Sequence, residues 1–341
     1  ATVATTVAAS SGFSFGTLAA VAAGVGLAAA GGGGGSSGPV APTSTDITGM
    51  SASQISALTT AQLTAGLTGS VSGMNGAALN ALAAQSAYIK TGGLTGTLAL
   101  TSVVTESGSA LLFAKYAGAT ATVDASGMTE AQLNVAFVNL SHVATAGINH
   151  ATITSSQVSV LLANTAKFAD AGVVSLPAIS LADFETLYAT RASVLANDAA
   201  TVDVTGARTV TIKALTDTSQ MAKVHAIVGL NIALADYAND ESQPLLAKAQ
   251  GAVINAESAT TAEVDALLNN LSHVADGGIS GVTFSTSTQA HLASLHPEKF
   301  AANGIVSITA SGVSVADLVV LVASLIGSQT ILDVVNTATD M

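Results

Sequence analysis

The chain contains no cysteine and no tryptophan, and aromatic residues make up only 4% of its 341 positions. Without cysteine, neither disulfides nor thiolate metal sites can hold it together. Charge is scarce as well: 9% of residues are charged, 21 of them acidic and nine basic, for a formal net charge of -12. Nucleic acid is excluded as a partner, because phosphate binding needs clustered Lys and Arg. A polyanionic membrane surface is disfavoured for the same reason. The shortage is extreme at the start, where residues 1–45 hold no Asp, Glu, Lys, Arg or His; the first charge is Asp46 and the first lysine Lys90.

What is present is 49% apolar residue, mostly Ala, Val and Leu, together with 32 Gly. Such a chain folds, and its length allows one large core or two ordinary ones. Small side chains make a closely packed core, which suits thin, regular layers better than a bulky globule.

An Ala/Gly-rich stretch from Phe13 to Ala30 runs into Gly31–Gly35, Ser36, Ser37, Gly38, Pro39 and Pro42. Residues 1–30 read as an uncharged arm that packs against a neighbouring subunit, and residues 31–45 as a Gly/Ser/Pro linker. No basic residue flanks the stretch, so neither a signal peptide nor a membrane span is expected. Two motifs there invite a catalytic reading. Gly12-Phe13-Ser14-Phe15-Gly16 matches a nucleophile elbow, but nothing before it resembles the core strand that an elbow needs. Gly24-Val25-Gly26-Leu27-Ala28-Ala29 with Asp46 imitates a dinucleotide fingerprint, but Gly and Pro fill the interval where a helix and strand belong.

Residues 122–190 recur as 253–324. Asn139-Leu140-Ser141-His142-Val143-Ala144 is identical to Asn270-Leu271-Ser272-His273-Val274-Ala275. Gly147-Ile148 returns as Gly278-Ile279, Lys167-Phe168-Ala169 as Lys299-Phe300-Ala301, and Ser180-Leu181-Ala182-Asp183 as Ser314-Val315-Ala316-Asp317. Matches that keep their order signal duplication. The chain thus divides into a divergent repeat region at 46–121, a full copy at 122–252 and a partial copy at 253–341. The partial copy lacks an equivalent of roughly 206–252, which leaves its last unit with an open edge.

Within each copy a shorter unit is marked by helix N-cap chemistry, a Ser or Thr followed three residues later by an acid or amide. Thr129–Gln132, Thr154–Gln157 and Ser180–Asp183 are answered by Thr260–Glu263, Thr286–Gln289 and Ser314–Asp317, 25 to 28 residues apart. Ser51–Gln54, Thr59–Gln62 and Asp217–Gln220 are further starts, and Asp46-Ile47-Thr48-Gly49-Met50 echoes Asp124–Met128. Leu133, Phe137, Leu140 and Ala144 fall on one face of a helix that runs on towards Gly147. Gly147, Gly172, Gly278 and Gly304 suit left-handed C-caps, followed by β-rich runs such as Val173–Leu176 and Ile305–Thr309.

Strand, turn and helix in units of about 25–28 residues imply parallel strands with the helix as crossover. The expected fold is α/β: a right-handed, solenoid-like stack with its helices on one side, preceded by the extended arm.

Few side chains suggest chemistry. His142 and His273 occupy equivalent places, each opposite a leucine of the expected helix, and read as exposed or turn-bonding. His291 and His296 are five apart, poor spacing for one helical face and for zinc. Asn139 and Asn270 open formal glycosylation sequons in mid-helix, where the side chain is expected to bond the next repeat's turn. Asp236, Asn239, Asp240 and Glu241 form the densest oxygen cluster and are the candidate calcium ligands, although they fit no EF-hand or RTX spacing.

The Gly24–Ser37 run, the cysteine-free acidic composition, and units such as Ser56–Leu63 and Phe168–Val173 resemble the large secreted repeat proteins of Gram-negative bacteria. Biofilm-matrix adhesins and surface-layer proteins belong to that group. The resemblance implies export and assembly at or beyond the cell surface, and transfers no functional residue. The expectation is therefore an extracellular, non-enzymatic structural protein that polymerises into a filament, surface layer or matrix fibre through its arm and open repeat ends. The alternative is a cell-surface adhesin or glycan-binding module, with a surface polysaccharide as partner. An adhesin should expose aromatic residues for sugar stacking, yet only four Tyr and eight Phe are spread over the chain.

Overall fold

A computed structural model describes residues 43–101 and 103–324, which belong to the second of two compact units, Pro42–Met341. The expected arm, all but the end of the expected linker, both glycine motifs and residues 325–341 lie outside the described residues. At the linker's expected end, Thr45 already belongs to a strand, Thr45–Asp46.

The fold is α/β. Among the described residues there are 13 α-helices and 16 strands in five open sheets, and every strand pair is parallel. Strands that pair are close in sequence: Thr45 with Leu67, Leu67 with Ile89, Ala121 with Val143, Ala200 with Val224, Ala252 with Val274, and Val282 with Ile305. Parallel neighbours need a crossover, and short helices supply it. One continuous apolar core, from Ile47 to Leu321, lies between them.

All nine expected starts are helix N-caps. Thr129 accepts the amide of Gln132 while Gln132 accepts the amide of Thr129, and Ser51, Thr59, Thr154 and Thr260 form the same reciprocal box. Ser180, Asp217, Thr286 and Ser314 cap through their own side chains. Each such cap contributes about 1 kcal/mol. The turn before several caps also repeats. Asp46, Asp124, Asp203 and Asn255 accept the amide two residues on, at 2.8–3.1 Å. Gly49, Gly127 and Gly206 then take φ near +70°, and at Gly49 and Gly206 an added β-carbon would meet nothing within 4 Å, so glycine serves those two for backbone freedom alone.

Two local expectations are corrected. The helix after Thr129 covers only Glu130–Val138; Leu140 lies beyond it, and Ala144 sits on the strand Val143–Asn149. Gly147, Gly172, Gly278 and Gly304 are not left-handed caps. The left-handed residue is the one before each: Ala146 (φ 54°), Ala171 (53°), Gly277 (67°) and Asn303 (59°). The glycines lie where neighbouring strands nearly touch. A β-carbon on Gly147 would stand 2.9 Å from both Ala121 O and Ala144 O, and one on Gly278 would stand 2.8 Å from Ala252 O and Ala275 O. The register explains the crowding. Ala121 faces Val143 but Val123 faces Ile148, and Ala252 faces Val274 but Ile254 faces Ile279, so each outer strand bulges at this point.

Candidate functional site

The surfaces on which successive units meet carry the most specific chemistry of the chain. At Gln157 and Gln289, each the third residue of its turn or helix, the side-chain carbonyl oxygen serves locally and the amide nitrogen serves between units. Gln157 accepts from Thr154 N (3.1 Å) and donates to Asn134 Oδ1 (2.7 Å) and Glu130 O (3.3 Å) of the preceding helix. Gln289 accepts from Ser285 N (2.9 Å) and donates to Asp265 Oδ1 (2.8 Å) and Thr261 O (3.1 Å). Both side chains are buried and satisfied, which a polar group inside a core requires. The fifth helical residue is the receiving partner. Asn134 and Asp265 hold that place, as does Asn80, which donates to Val103 O (2.9 Å) and accepts from Thr105 N (3.1 Å) in the following unit.

A second set of bonds lies where each helix returns to a strand. Lys167 Nζ donates to Val143 O (2.6 Å), Lys223 to Leu195 O (2.9 Å) and Lys299 to Val274 O (2.9 Å); His273 Nδ1 lies 2.9 Å from Ala249 O. These carbonyls lie 24 to 28 residues back along the chain. The set went unrecognised in the sequence, although its signal is there: Lys115, His142, Lys167, Lys223, Lys248, His273 and Lys299 each directly precede a buried strand or bridge residue. Acidic neighbours neutralise part of this set, Asp198 with Lys248 (2.6 Å) and Asp276 with Lys299 (2.9 Å), and Asp170 pairs likewise with Arg191 (3.0 Å). Asp170 is held below the usual carboxylate range by Ser193 and then Arg191, and Asp198 by Lys248 and then His225.

The histidines and sequon asparagines differ from expectation. His142 is half-buried beyond the helix, its ring 6.2 Å from Phe113 and 6.4 Å from Tyr116, with Nδ1 lacking a hydrogen-bond partner. His273 binds a carbonyl instead, so the duplicated position serves two different contacts. Asn139 and Asn270 close their own helices, each donating to the carbonyl four residues back (Val135 O, 2.7 Å; Ala266 O, 2.8 Å), as Asn164 does to Val160 O (2.9 Å). A helix end leaves such carbonyls open, which is why the bond stays local and does not reach the next repeat.

The candidate calcium ligands spread along a helix start. Asp236 ends the 3-10 turn Leu234–Asp236, and Asn239, Asp240 and Glu241 open the helix Asn239–Lys248. Glu241 is engaged by Ala238 N (3.1 Å) and Lys213 Nζ (3.2 Å), which keep its carboxyl below the ordinary range. Negative charge suits a helix N-terminus on its own account. Among the described residues, no three His, Asp or Glu side chains converge on a point that would hold a metal ion.

Three histidines pair with a carboxylate of an adjacent unit: His150 with Asp124 (3.1 Å), His225 with Asp198 (3.1 Å) and His291 with Asp317 (3.2 Å). Ser294 joins the last pair, but its hydroxyl lies 2.7 Å from both Asp317 Oδ1 and His291 O. Its proton goes to one of those acceptors, so the group lacks the hydroxyl-to-imidazole bond that activates a nucleophile. No helix among the described residues is long and apolar enough to cross a membrane. No protein-family model matches the chain, and no curated protein matches it.

Proposed function

We propose that the chain is an extracellular structural subunit whose units stack as a right-handed α/β solenoid and whose open ends join copies into a filament, surface layer or matrix fibre. The observation that carries this reading is the pairing pattern. From the first described strand to the last, each strand pairs in parallel with near neighbours in sequence, and the specific side-chain bonds join one unit to the next. Such an array is quasi-one-dimensional: every internal unit is covered on two sides and a terminal unit on one. The right-handed sense rests on the crossover rule for parallel strands. An adhesive role draws less support, since Tyr88 is the one large aromatic side chain among the well-exposed apolar residues described.

The test is electron microscopy with sedimentation velocity on the purified full chain, across salt and calcium concentrations. Assemblies well above the 33.2 kDa monomer are expected. Monomers alone under every condition would overturn the proposal.

A further inference from the structure

The interface between units is split into two halves at the ends of the described array, and each half is left exposed. The last helix, Val315–Leu321, buries Leu318 and Leu321 in the core and turns Asp317 towards the preceding unit, where it meets His291 and Ser294. Val319 is its fifth residue, the place held by Asn80, Asn134 and Asp265 where they meet the following unit. Helical spacing puts Val315 and Val322 beside it, opposite Asp317. These three valines are 56%, 67% and 42% exposed for Val315, Val319 and Val322.

The other half stands on the first described helix, Ala52–Ser56. Gln54 is its third residue, equivalent to Gln157 and Gln289, which are buried because each reaches back to a preceding helix. Gln54 is exposed, and its carbonyl oxygen already serves the Ser51 capping box. The strand edges match: among the described residues, Thr45–Asp46 pairs only with Leu67–Ser70, and Ile305–Ile308 only with Val282–Phe284.

We infer that these halves join, so that the Gln54 side of one copy docks on the Val315–Val319–Val322 ridge of a second copy. Translation along the array keeps all strands parallel, which makes the contact head-to-tail and open-ended. Charge favours that geometry. Of the 30 charged residues, only Asp46 lies in 43–88 and only Asp317 in 305–324, while 26 lie in 89–304. Copies of an acidic chain repel one another side to side and meet least repulsion at these ends. The inference rests on the assembly reading and specifies its contact.

Because the chain has no cysteine, the contact can be trapped cleanly. The full chain carrying both Gln54→Cys and Val319→Cys, oxidised under assembling conditions, is expected to give a ladder of covalent multiples on denaturing gels. Each single variant should stay monomeric. In parallel, Val319→Lys should raise the concentration for half-assembly about tenfold or more. Val138→Lys, at a valine 86% exposed on an internal helix, should leave it unchanged. Quantitative dimers from Val319→Cys alone would show tail-to-tail pairing and overturn the inference. Wild-type-like assembly of Val319→Lys, without a ladder from the double variant, would overturn it while leaving assembly by another surface. A lowered melting temperature of Val319→Lys with assembly unchanged would show the ridge covered within its own chain, and would also overturn it. A wild type that is monomeric throughout sinks both readings.

Discussion

The bulges offer the sharpest test of the structure, because adjacent residues there should respond oppositely to the same exchange. Ala146 holds φ 54° without being glycine, and Gly147, next to it, has ordinary φ but no room for a β-carbon. A left-handed non-glycine residue costs about 1–2 kcal/mol, and glycine's extra unfolded-state entropy returns about 0.5–1 kcal/mol of that. Ala146→Gly should therefore stabilise by about 0.5 kcal/mol. Gly147→Ala places its new carbon 2.9 Å from two carbonyl oxygens, Ala121 O and Ala144 O. Close C–H···O contacts begin at about 3.3 Å, so the strand must draw back from Ala121 O and its own bulge at Ala144 must open, each by a few tenths of an ångström. Overpacking costs about 1–3 kcal/mol; with backbone on both sides, the upper part of that range applies. Gly206→Ala is the contrast, since φ is 71° and an added β-carbon would meet no atom within 4 Å, so only the same net cost of about 0.5 kcal/mol remains, now destabilising. Asparagine separates the two mechanisms, being tolerated at position 206 and worse than alanine at 147. Urea denaturation followed by circular dichroism measures each difference. If Gly147→Ala stays within about 0.5 kcal/mol of wild type while Ala146→Gly destabilises, the bulge geometry described here is wrong.

Other interface residues give independent outcomes. Gln289→Leu should cost about 2–3 kcal/mol in urea denaturation, since it strands Ser285 N and removes the donor to Asp265 and Thr261. Lys299→Met keeps the aliphatic stem but leaves Val274 O without its charged donor, and should lower stability by about 1.5 kcal/mol in the same assay. Burial alone would push Asp317 up, but Ser294, Ser314 and His291 together hold it below the ordinary value. A depressed carboxylate stabilises above its unfolded pKa of about 3.9 and loses that contribution as pH falls through the lower folded value. The melting-temperature gap between wild type and Asp317→Asn should thus be constant near neutral pH and close only below about pH 4. A gap that is the same at pH 3 and pH 7 would show that the carboxylate's charge contributes nothing.

The sequence by itself determined where helices begin, that units repeat, and that strands run parallel. Caps and Asx turns bond within three residues, so their signals stay local and legible, as at Thr129–Gln132 and Asp124–Ser126. Periodicity misled where the chain leaves the helix: Leu140 and Ala144 keep the helical spacing, yet Asn139 ends the helix by binding Val135 O. What each glycine does was decided by tertiary structure alone. Gly206 answers to its own φ, whereas Gly147 answers to carbonyl oxygens, one of them 26 residues away, that a local pattern cannot register. The same holds for the surfaces proposed to act. Gln54 and Gln289 look alike in sequence, and among the described residues only Gln289 has a preceding helix to bond. A repeat prescribes its own contacts; which of them are met depends on what the rest of the fold places beside it.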